Sequence, residues 1–167
     1  IMAYLYKVAS MDDFDDYLKI KSDPAAILWS GFSSAPDPMK LRVHFQYLLD
    51  NCFSKGDVLF YLKDSENHNI MGYDLMSKID NETIESSGHS ILSRYQGRGL
   101  GTLLFKLLVE YARGCGFKNF VGWISENNIG SIKNVERNGF VRTKESRIVH
   151  LAAFNRDDVF YKYLCKL

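Results

Sequence analysis

The spacing of apolar and polar positions predicts a chain that alternates between strands and helices. Residues 3–8 alternate aromatic and aliphatic side chains, which is typical of a strand. A helical repeat follows, with Ser10 as its N-cap. Periodicity is lost between Pro24 and Pro38, where turn-forming residues cluster, and a second helix is predicted to begin near Asp37.

The middle of the chain predicts an antiparallel meander. Three strand-like segments, 58–63, 70–79 and 82–92, are separated by short polar turns. The third segment is polar on both faces, which is unusual for a covered central strand and favours a strand that lines a cleft.

The clearest helix is residues 99–113, where leucines repeat at i, i+3, i+4, i+7 and i+8. A buried type of strand, 117–124, follows, and Asn128 caps a short helix that ends before Gly139. Two more strands are predicted, at 141–151 and 159–167. The fold class is therefore α/β (α+β): one domain over residues 1–167, with a mixed, mainly antiparallel sheet of about seven strands and flanking helices.

Composition narrows the function classes. The 167 residues are 46% hydrophobic and 25% charged, as expected for a soluble globular domain. A net charge of +1 argues against nucleic acid as a partner, and no apolar run is long enough to cross a bilayer. The three cysteines lie far apart and in no paired motif. They predict reduced thiols in a cytoplasmic protein, with no disulfide framework and no metal site.

Candidate chemistry centres on the turn before the long helix. Gly97, Gly99 and Gly101 remove side chains from the backbone, and the following helix begins with unpaired N–H donors and a positive dipole end. Such an end binds phosphate, and Arg98 adds a positive charge. The pattern is neither a dinucleotide fingerprint nor a Walker loop, since Thr102 stands where the former needs glycine. The glycines could also serve only to turn the chain.

Two motifs resemble a known family. Gln96-Gly97-Arg98-Gly99-Leu100-Gly101 matches the Gln/Arg-x-x-Gly-x-Gly/Ala signature of the GCN5-related N-acetyltransferase (GNAT) superfamily. The segment from Asn128 to Phe140 resembles its second motif, Asn-x-x-Ser/Ala followed by Gly-Phe, at the expected separation. The Asn-x-x-Ser variant and the segment 158–161 look closest to the ribosomal-protein-acetylating branch.

The resemblance implies acetyl-CoA as co-substrate and a splayed central strand pair. The pyrophosphate would lie on the N–H groups of residues 97–101, with the Thr102 hydroxyl able to join them. Backbone groups of residues 91–93 would meet the pantetheine arm, and Asn128 and Ser131 match positions that hold it. As alternatives, Asn128 only caps its helix and Ser131 only packs. The implied binding residues are Ile91, Leu92, Ser93, Gln96, Gly97, Arg98, Gly99, Leu100, Gly101, Thr102, Asn128 and Ser131.

Direct attack of an amine on the thioester requires a base, because an amine is mostly protonated at pH 7. Glu85, eleven residues before Gln96, resembles the base of histone-acetylating members in its placement. The alternative is an ordinary strand carboxylate facing water. His89 shares the strand parity of Glu85 and is the second candidate. Val135 stands where many members carry the tyrosine that protonates the thiolate. The acid is therefore missing, unnecessary because a thiolate is already a fair leaving group, or supplied from elsewhere, with Tyr161 and Tyr163 as the substitutes unless they only pack.

Three functions follow from these residues. The first is an acetyl-CoA-dependent N-acetyltransferase acting on a primary amine of a small molecule. The second has the same reaction with a protein N-terminus or lysine as acceptor, and the third is a CoA-binding module without catalysis. Trp29 and Phe32 either pack between helices or line the acceptor pocket. The chain could also form a homodimer.

Overall fold

The computed structural model describes residues 2–167 and forms one seven-stranded sheet with helices on both faces. Its helices are α1 (Phe14–Lys21), α2 (Pro24–Leu28), α3 (Pro38–Tyr47), α4 (Leu100–Gly114) and α5 (Ile129–Glu136). Its strands are β1 (Ala3–Lys7), β2 (Val58–Asp64), β3 (Ile70–Lys78), β4 (Thr83–Ile91), β5 (Asn119–Ser125), β6 (Val141–Leu151) and β7 (Arg156–Lys166).

The strand order is β1-β2-β3-β4-β5-β7-β6, and every neighbouring pair is antiparallel except β4 and β5. Helix α4 makes the crossover between those two parallel strands, as expected for a βαβ unit. The predicted mixed, mainly antiparallel sheet of about seven strands is confirmed.

Strands β4 and β5 separate halfway along their length. They pair only from Thr83–Ser86 to Asn119–Gly122, so the rest of β4 has β3 alone as a strand neighbour. Backbone groups on the free edge of β4 therefore have no β5 partner, and one of them, the Ile91 carbonyl, accepts a 3.2 Å hydrogen bond from the Gln96 side-chain amide. This separation is the splayed pair that the family resemblance implied.

Alternate residues of the central strands bury opposite faces of the sheet. Phe60 packs its ring edge-to-face on Tyr111 of α4, whereas the neighbouring Tyr61 donates its hydroxyl to the backbone carbonyl of Asp13 beside α1. Both faces of the sheet are thus covered, and the buried residues on the two sides belong to one hydrophobic cluster.

The segment after Pro24 differs from the prediction, because residues 24–28 form the short helix α2. Asp23 caps it by accepting from the N–H of Ala25, and Pro24 supplies a suitable first position. The same carboxylate oxygen accepts from the N–H and hydroxyl of Ser93, at 3.1 and 2.6 Å. This second set of contacts fixes α2 against the end of β4, and it involves a residue seventy positions away that local periodicity does not reveal.

Among residues 2–167, no helix combines the length and the apolar character that a membrane crossing requires.

Candidate active site

A cavity of about 690 Å³ opens where β4 and β5 part. Its walls come from α2, the outer half of β4, the glycine-rich turn, the start of α5 and the middle of β6. The volume falls within the usual range of ligand pockets. The cavity therefore runs from the start of α4 through the splayed strands.

The glycine-rich turn exposes main chain to this cavity. Gly97 and Gly99 both have φ of +76°, and a Cβ at either would meet no atom within 4 Å. Gly99 is the N-cap of α4, a helix of 15 residues whose first-turn N–H groups have no acceptor inside the helix. Left-handed backbone is therefore what requires glycine at both positions, and the resulting surface suits a phosphate.

Gly101 has a different role from its two neighbours. A Cβ there would lie 2.1 Å from the amide nitrogen of Asn134 on α5. Asn134 in turn accepts a 3.1 Å hydrogen bond from the Thr102 hydroxyl. Gly101 thus allows α4 and α5 to approach, and Thr102 contributes to that helix contact without lining the cavity.

Two other residues of the predicted binding set lie outside the cavity lining. Leu92 is 3% exposed, and its N–H bonds to the carbonyl of Met71. Arg98 places its guanidinium 5.5 Å from the centre of the Tyr95 ring. The remaining predicted residues do line the cavity, namely Ile91, Ser93, Gln96, Gly97, Gly99, Leu100, Gly101, Asn128 and Ser131.

Asn128 and Ser131 combine a local role with a position on the cavity wall. Asn128 is the N-cap of α5, because its side-chain oxygen accepts from the Ser131 N–H at 3.3 Å. The Ser131 hydroxyl lies 3.5 Å from Nε2 of His89 on the opposite wall. Capping and a ligand contact are therefore compatible at this helix start.

The prediction that Glu85 and His89 share a strand face is wrong. The β3–β4 register shifts so that Leu75 pairs with Gly88 and Met76 with Ser86, which leaves Ser87 unpaired as a β-bulge. Alternation restarts after the extra residue, so His89 lies on the same side as Ser86 rather than Glu85. Both Glu85 and His89 still line the cavity, because it passes between the parted strands.

His89 is packed among protein atoms although part of its ring faces the cavity. The ring meets Phe105 edge-to-face at 4.9 Å, and its Nδ1 lies 3.4 Å from the Ser86 hydroxyl. Burial lowers the pKa of His89 to about 4, so the imidazole is neutral at pH 7. A neutral imidazole with so low a pKa is a poor acceptor for the proton of an amine.

Asp74 of β3 is the register partner of His89 on β4 and is fully buried. Its Oδ2 accepts a 2.5 Å hydrogen bond from Ser86, while Oδ1 has no hydrogen-bond partner. Burial raises the pKa of this carboxyl well above its usual range, which favours the protonated acid. A neutral Asp74 avoids an uncompensated buried charge next to the cavity.

The proposed substitutes for the missing tyrosine do not face the large cavity. Tyr161 lies under the guanidinium of Arg142, and Tyr163 is 3% exposed in a smaller space shared with Val135. The tyrosines that do line the large cavity are Tyr73 and Tyr95. Sequence patterns did not single them out, because both are spaced like ordinary core residues.

The far wall contains side chains that sequence reasoning had left undecided or missed. Trp29 and Phe32 both line the cavity, and Phe32 remains 68% exposed. Lys21, Trp123 and Arg147 also line it, and they come from three separate elements. No motif marks these three residues, because only the fold brings α1, β5 and β6 together.

Comparisons with known proteins agree with this geometry. The sequence profile of the acetyltransferase (GNAT) family matches residues 23–140. A sequence search of curated proteins finds no match.

Among solved structures, the spermidine N-acetyltransferase of Vibrio cholerae in complex with CoA and spermine superposes with a TM-score of 0.78 at 15% identity, covering 96% of this chain and 94% of that one. The ribosomal-protein-S5-alanine acetyltransferase of Vibrio fischeri gives 0.77 at 15% identity, with 96% and 91% covered. A GNAT family acetyltransferase of Elizabethkingia anophelis with acetyl-CoA bound superposes with a TM-score of 0.64 at 17% identity, covering 99% of this chain and 98% of that one.

The matched profile spans both predicted motifs and the helix and strand between them. The two Vibrio structures share the fold over 96% of this chain. The expected membership of an acetyltransferase family is confirmed by the profile match, and the Elizabethkingia anophelis structure shows that a protein of this fold binds acetyl-CoA. On the profile match and the shared fold together, the chain belongs to the acetyltransferase (GNAT) family.

Proposed function

We propose that this protein transfers the acetyl group of acetyl-CoA to a primary amine of a small molecule. The observation that carries the proposal is the single cavity that joins an open helix start at one end to Glu85 at the other, through the gap between β4 and β5. Such a passage lets a donor and an acceptor enter from opposite sides and meet at the parted strands.

The donor would lie on the glycine-rich turn and the free edge of β4. The N–H groups at the start of α4 would bind the pyrophosphate, since Gly97 and Gly99 keep the approach open. Ile91 and Ser93 border the gap, and Ser131 faces them from α5. Acetyl-CoA would supply the acyl group as a thioester at this point.

Glu85 would take the proton from the attacking amine, directly or through water. It is better suited than His89, because burial keeps the pKa of His89 near 4. The amine nitrogen forms a bond to the carbonyl carbon, the carbon–sulfur bond breaks, and CoA leaves as the thiolate. Main-chain N–H groups of β4 beyond Ser86 have no β5 partner and would stabilise the charge on the carbonyl oxygen.

A small acceptor suits the cavity better than a folded protein. The acceptor end is bordered by Trp29 of the α2 segment and Arg147 of β6, and the whole cavity of about 690 Å³ has the size of a small-molecule pocket. A protein N-terminus or lysine would have to reach Glu85 between these side chains. A CoA-binding module without catalysis would have no need of a carboxylate in the same passage.

Transfer from [14C]acetyl-CoA to a panel of small amines and peptides tests the proposal. We expect label on small amines and little on peptides. Label on peptides alone would favour the protein acceptor, and acetyl-CoA binding without any transfer would favour the non-catalytic module. A thermal shift with acetyl-CoA is the first control, because a ligand that binds the native state must raise the melting temperature.

A further inference from the structure

The ionisable side chains on the acceptor wall are mainly positive. Lys21 of α1 and Arg147 of β6 line the cavity, and among residues 2–167 the only carboxylate in its lining is Glu85. His89 is neutral at pH 7, so it does not change this balance. An acceptor with several positive charges would therefore be attracted by one carboxylate, Glu85, and repelled by two cations, Lys21 and Arg147.

Lys21 lies on the β3–β4 side of the gap. Its ammonium donates a 3.3 Å hydrogen bond to the Tyr73 hydroxyl and lies 5.5 Å from the centre of that ring. The Tyr73 hydroxyl is in turn only 3.1 Å from where a Cβ on Gly88 would stand. Lys21 is therefore held next to β4 at the level of Gly88, which is three residues after Glu85 on that strand.

Arg147 lies on the β5 side of the same gap. Its guanidinium stacks 4.3 Å above the ring of Trp123, the first residue of β5 beyond its pairing with β4. Stacking fixes the plane of the guanidinium and leaves its N–H edge free to bind a carboxylate. Within residues 2–167, neither Lys21 nor Arg147 has a carboxylate at ion-pair distance.

Aromatic side chains complete this wall. Trp29 and Phe32 line it from the α2 segment, and Trp123 and Phe160 line it from the sheet. Phe32 is 68% exposed, which is a large apolar surface to leave in water at the mouth of a cavity. An acceptor with an apolar or aromatic body would cover it.

We propose that Lys21 and Arg147 form an anion subsite, and that the acceptor is a small amine carrying both a carboxylate and an apolar body. The inference rests on the proposed function, because Glu85 is taken to face the amine. The carboxylate would lie between the two cations, which would orient the amine toward the gap. Charge complementarity then excludes polyamines.

Matched acceptors test the subsite directly. With acetyl-CoA saturating, L-phenylalanine should be acetylated with a kcat/KM at least tenfold above that of L-phenylalaninamide, and spermidine should be poorer still. Lys21→Met and Arg147→Met should each raise the KM for L-phenylalanine tenfold or more, with less than a twofold change for the amide.

Two variants are matched controls. Lys19→Met removes an exposed lysine from the same helix, and Arg142→Met removes an exposed β6 arginine that stacks on Tyr161 away from the cavity. Both should keep the wild-type preference. Equal or better use of the amide or spermidine would overturn the subsite, and so would a loss of acetyl-CoA affinity in Lys21→Met with acceptor preference unchanged.

A binding measurement separates this inference from the proposed function. Calorimetry should show that N-acetyl-L-phenylalanine binds at least tenfold more tightly than its amide in the presence of CoA, whether or not turnover occurs. If no amine is acetylated but this preference is present and is lost in Arg147→Met, catalysis fails and the subsite stands. If amines are acetylated without any such preference, the subsite is wrong and the reaction stands.

Discussion

The two halves of the cavity are built in different ways. The donor half consists mostly of residues from one short segment, 96–101 without Arg98, which present main-chain N–H groups at the start of α4. The acceptor half is assembled from side chains on five separate elements or connecting segments, namely Lys21, Trp29, Glu85, Trp123 and Arg147.

This difference explains why the donor half can be predicted from the sequence and the acceptor half cannot. A site made of backbone favours glycine where φ is positive, so Gly97 and Gly99 mark it locally. A site made of side chains needs only that certain residues be near one another in space. Substrate identity can then change by altering a few side chains while the donor half stays as it is.

The largest expected effect is that of Glu85→Gln, which tests whether the two halves are independent. Loss of the base should lower kcat on the preferred amine by roughly 100-fold or more. The acetyl-CoA dissociation constant, measured by calorimetry, should stay within twofold. Glu82→Gln, which changes an exposed carboxylate paired with Lys118 just before β4, is the control. Wild-type kcat in Glu85→Gln would exclude Glu85 from the mechanism.

His89 lies between the halves and provides a pH test. Its pKa is lowered from 6.5 to about 4. Between these two pH values His89 is therefore protonated in the unfolded chain but neutral in the folded protein. The contribution of His89 to the free energy of unfolding is therefore fully present above pH 6.5 and is lost as the pH drops toward 4. This contribution is up to roughly 3 kcal/mol.

Urea unfolding of the wild type and His89→Gln between pH 4 and 7.5 measures this contribution. The variant should lose less stability over the acidic part of the range, because glutamine does not titrate. Parallel curves for the two proteins would mean that His89 is protonated as easily in the folded state as in the unfolded chain.

A pair of glycine variants isolates the donor half. Gly99→Ala and Gly116→Ala place an alanine at similar backbone angles, φ of +76° and +85°, with open space around both positions. Each should lower the free energy of unfolding by about 1–2 kcal/mol. Only Gly99→Ala should weaken acetyl-CoA binding, by about tenfold. Equal acetyl-CoA affinity in the two variants would contradict a phosphate site at this turn.

The smallest expected effect concerns the contact that joins the two halves. Asp23 caps α2 on the acceptor side and accepts two hydrogen bonds from Ser93 on the donor side. Asp23→Ala should lower the free energy of unfolding by about 1 kcal/mol and raise the KM of both substrates a few-fold. Asp23→Asn keeps an acceptor oxygen and should restore much of this loss. A change in one KM alone would show that the halves are not coupled here.

Much of the fold could be predicted because it rests on periodicity. The leucine repeat of 99–113 became α4, and the polar strand 82–92 became the cleft-lining strand β4. The short helix α2 could not be predicted in the same way, since its cap is completed by Ser93 far along the chain. Local patterns contain no information about such a partner.

The placement of the candidate site residues, like the fold, follows the sequence prediction where it depends on local patterns and departs from it where it depends on contacts between distant elements. Nine of the twelve predicted binding residues line the cavity, whereas Leu92, Arg98 and Thr102 turn to other contacts. The face assignment of His89 failed because a β-bulge at Ser87 interrupts the two-residue alternation. A bulge depends on how β3 and β4 register against each other, and one strand's sequence does not determine it.

By itself, the sequence determined the order of the strands and of the helices other than α2, the family and the donor side of the site, because all three depend on local backbone requirements. Glycines with positive φ, a helix start without a side-chain cap and a leucine stripe are properties of neighbouring residues. Only the tertiary structure decided how far β4 and β5 part, which face His89 occupies and which cations stand across from Glu85. Those features depend on the packing of distant elements, and packing sets distances in space that no spacing along the chain specifies.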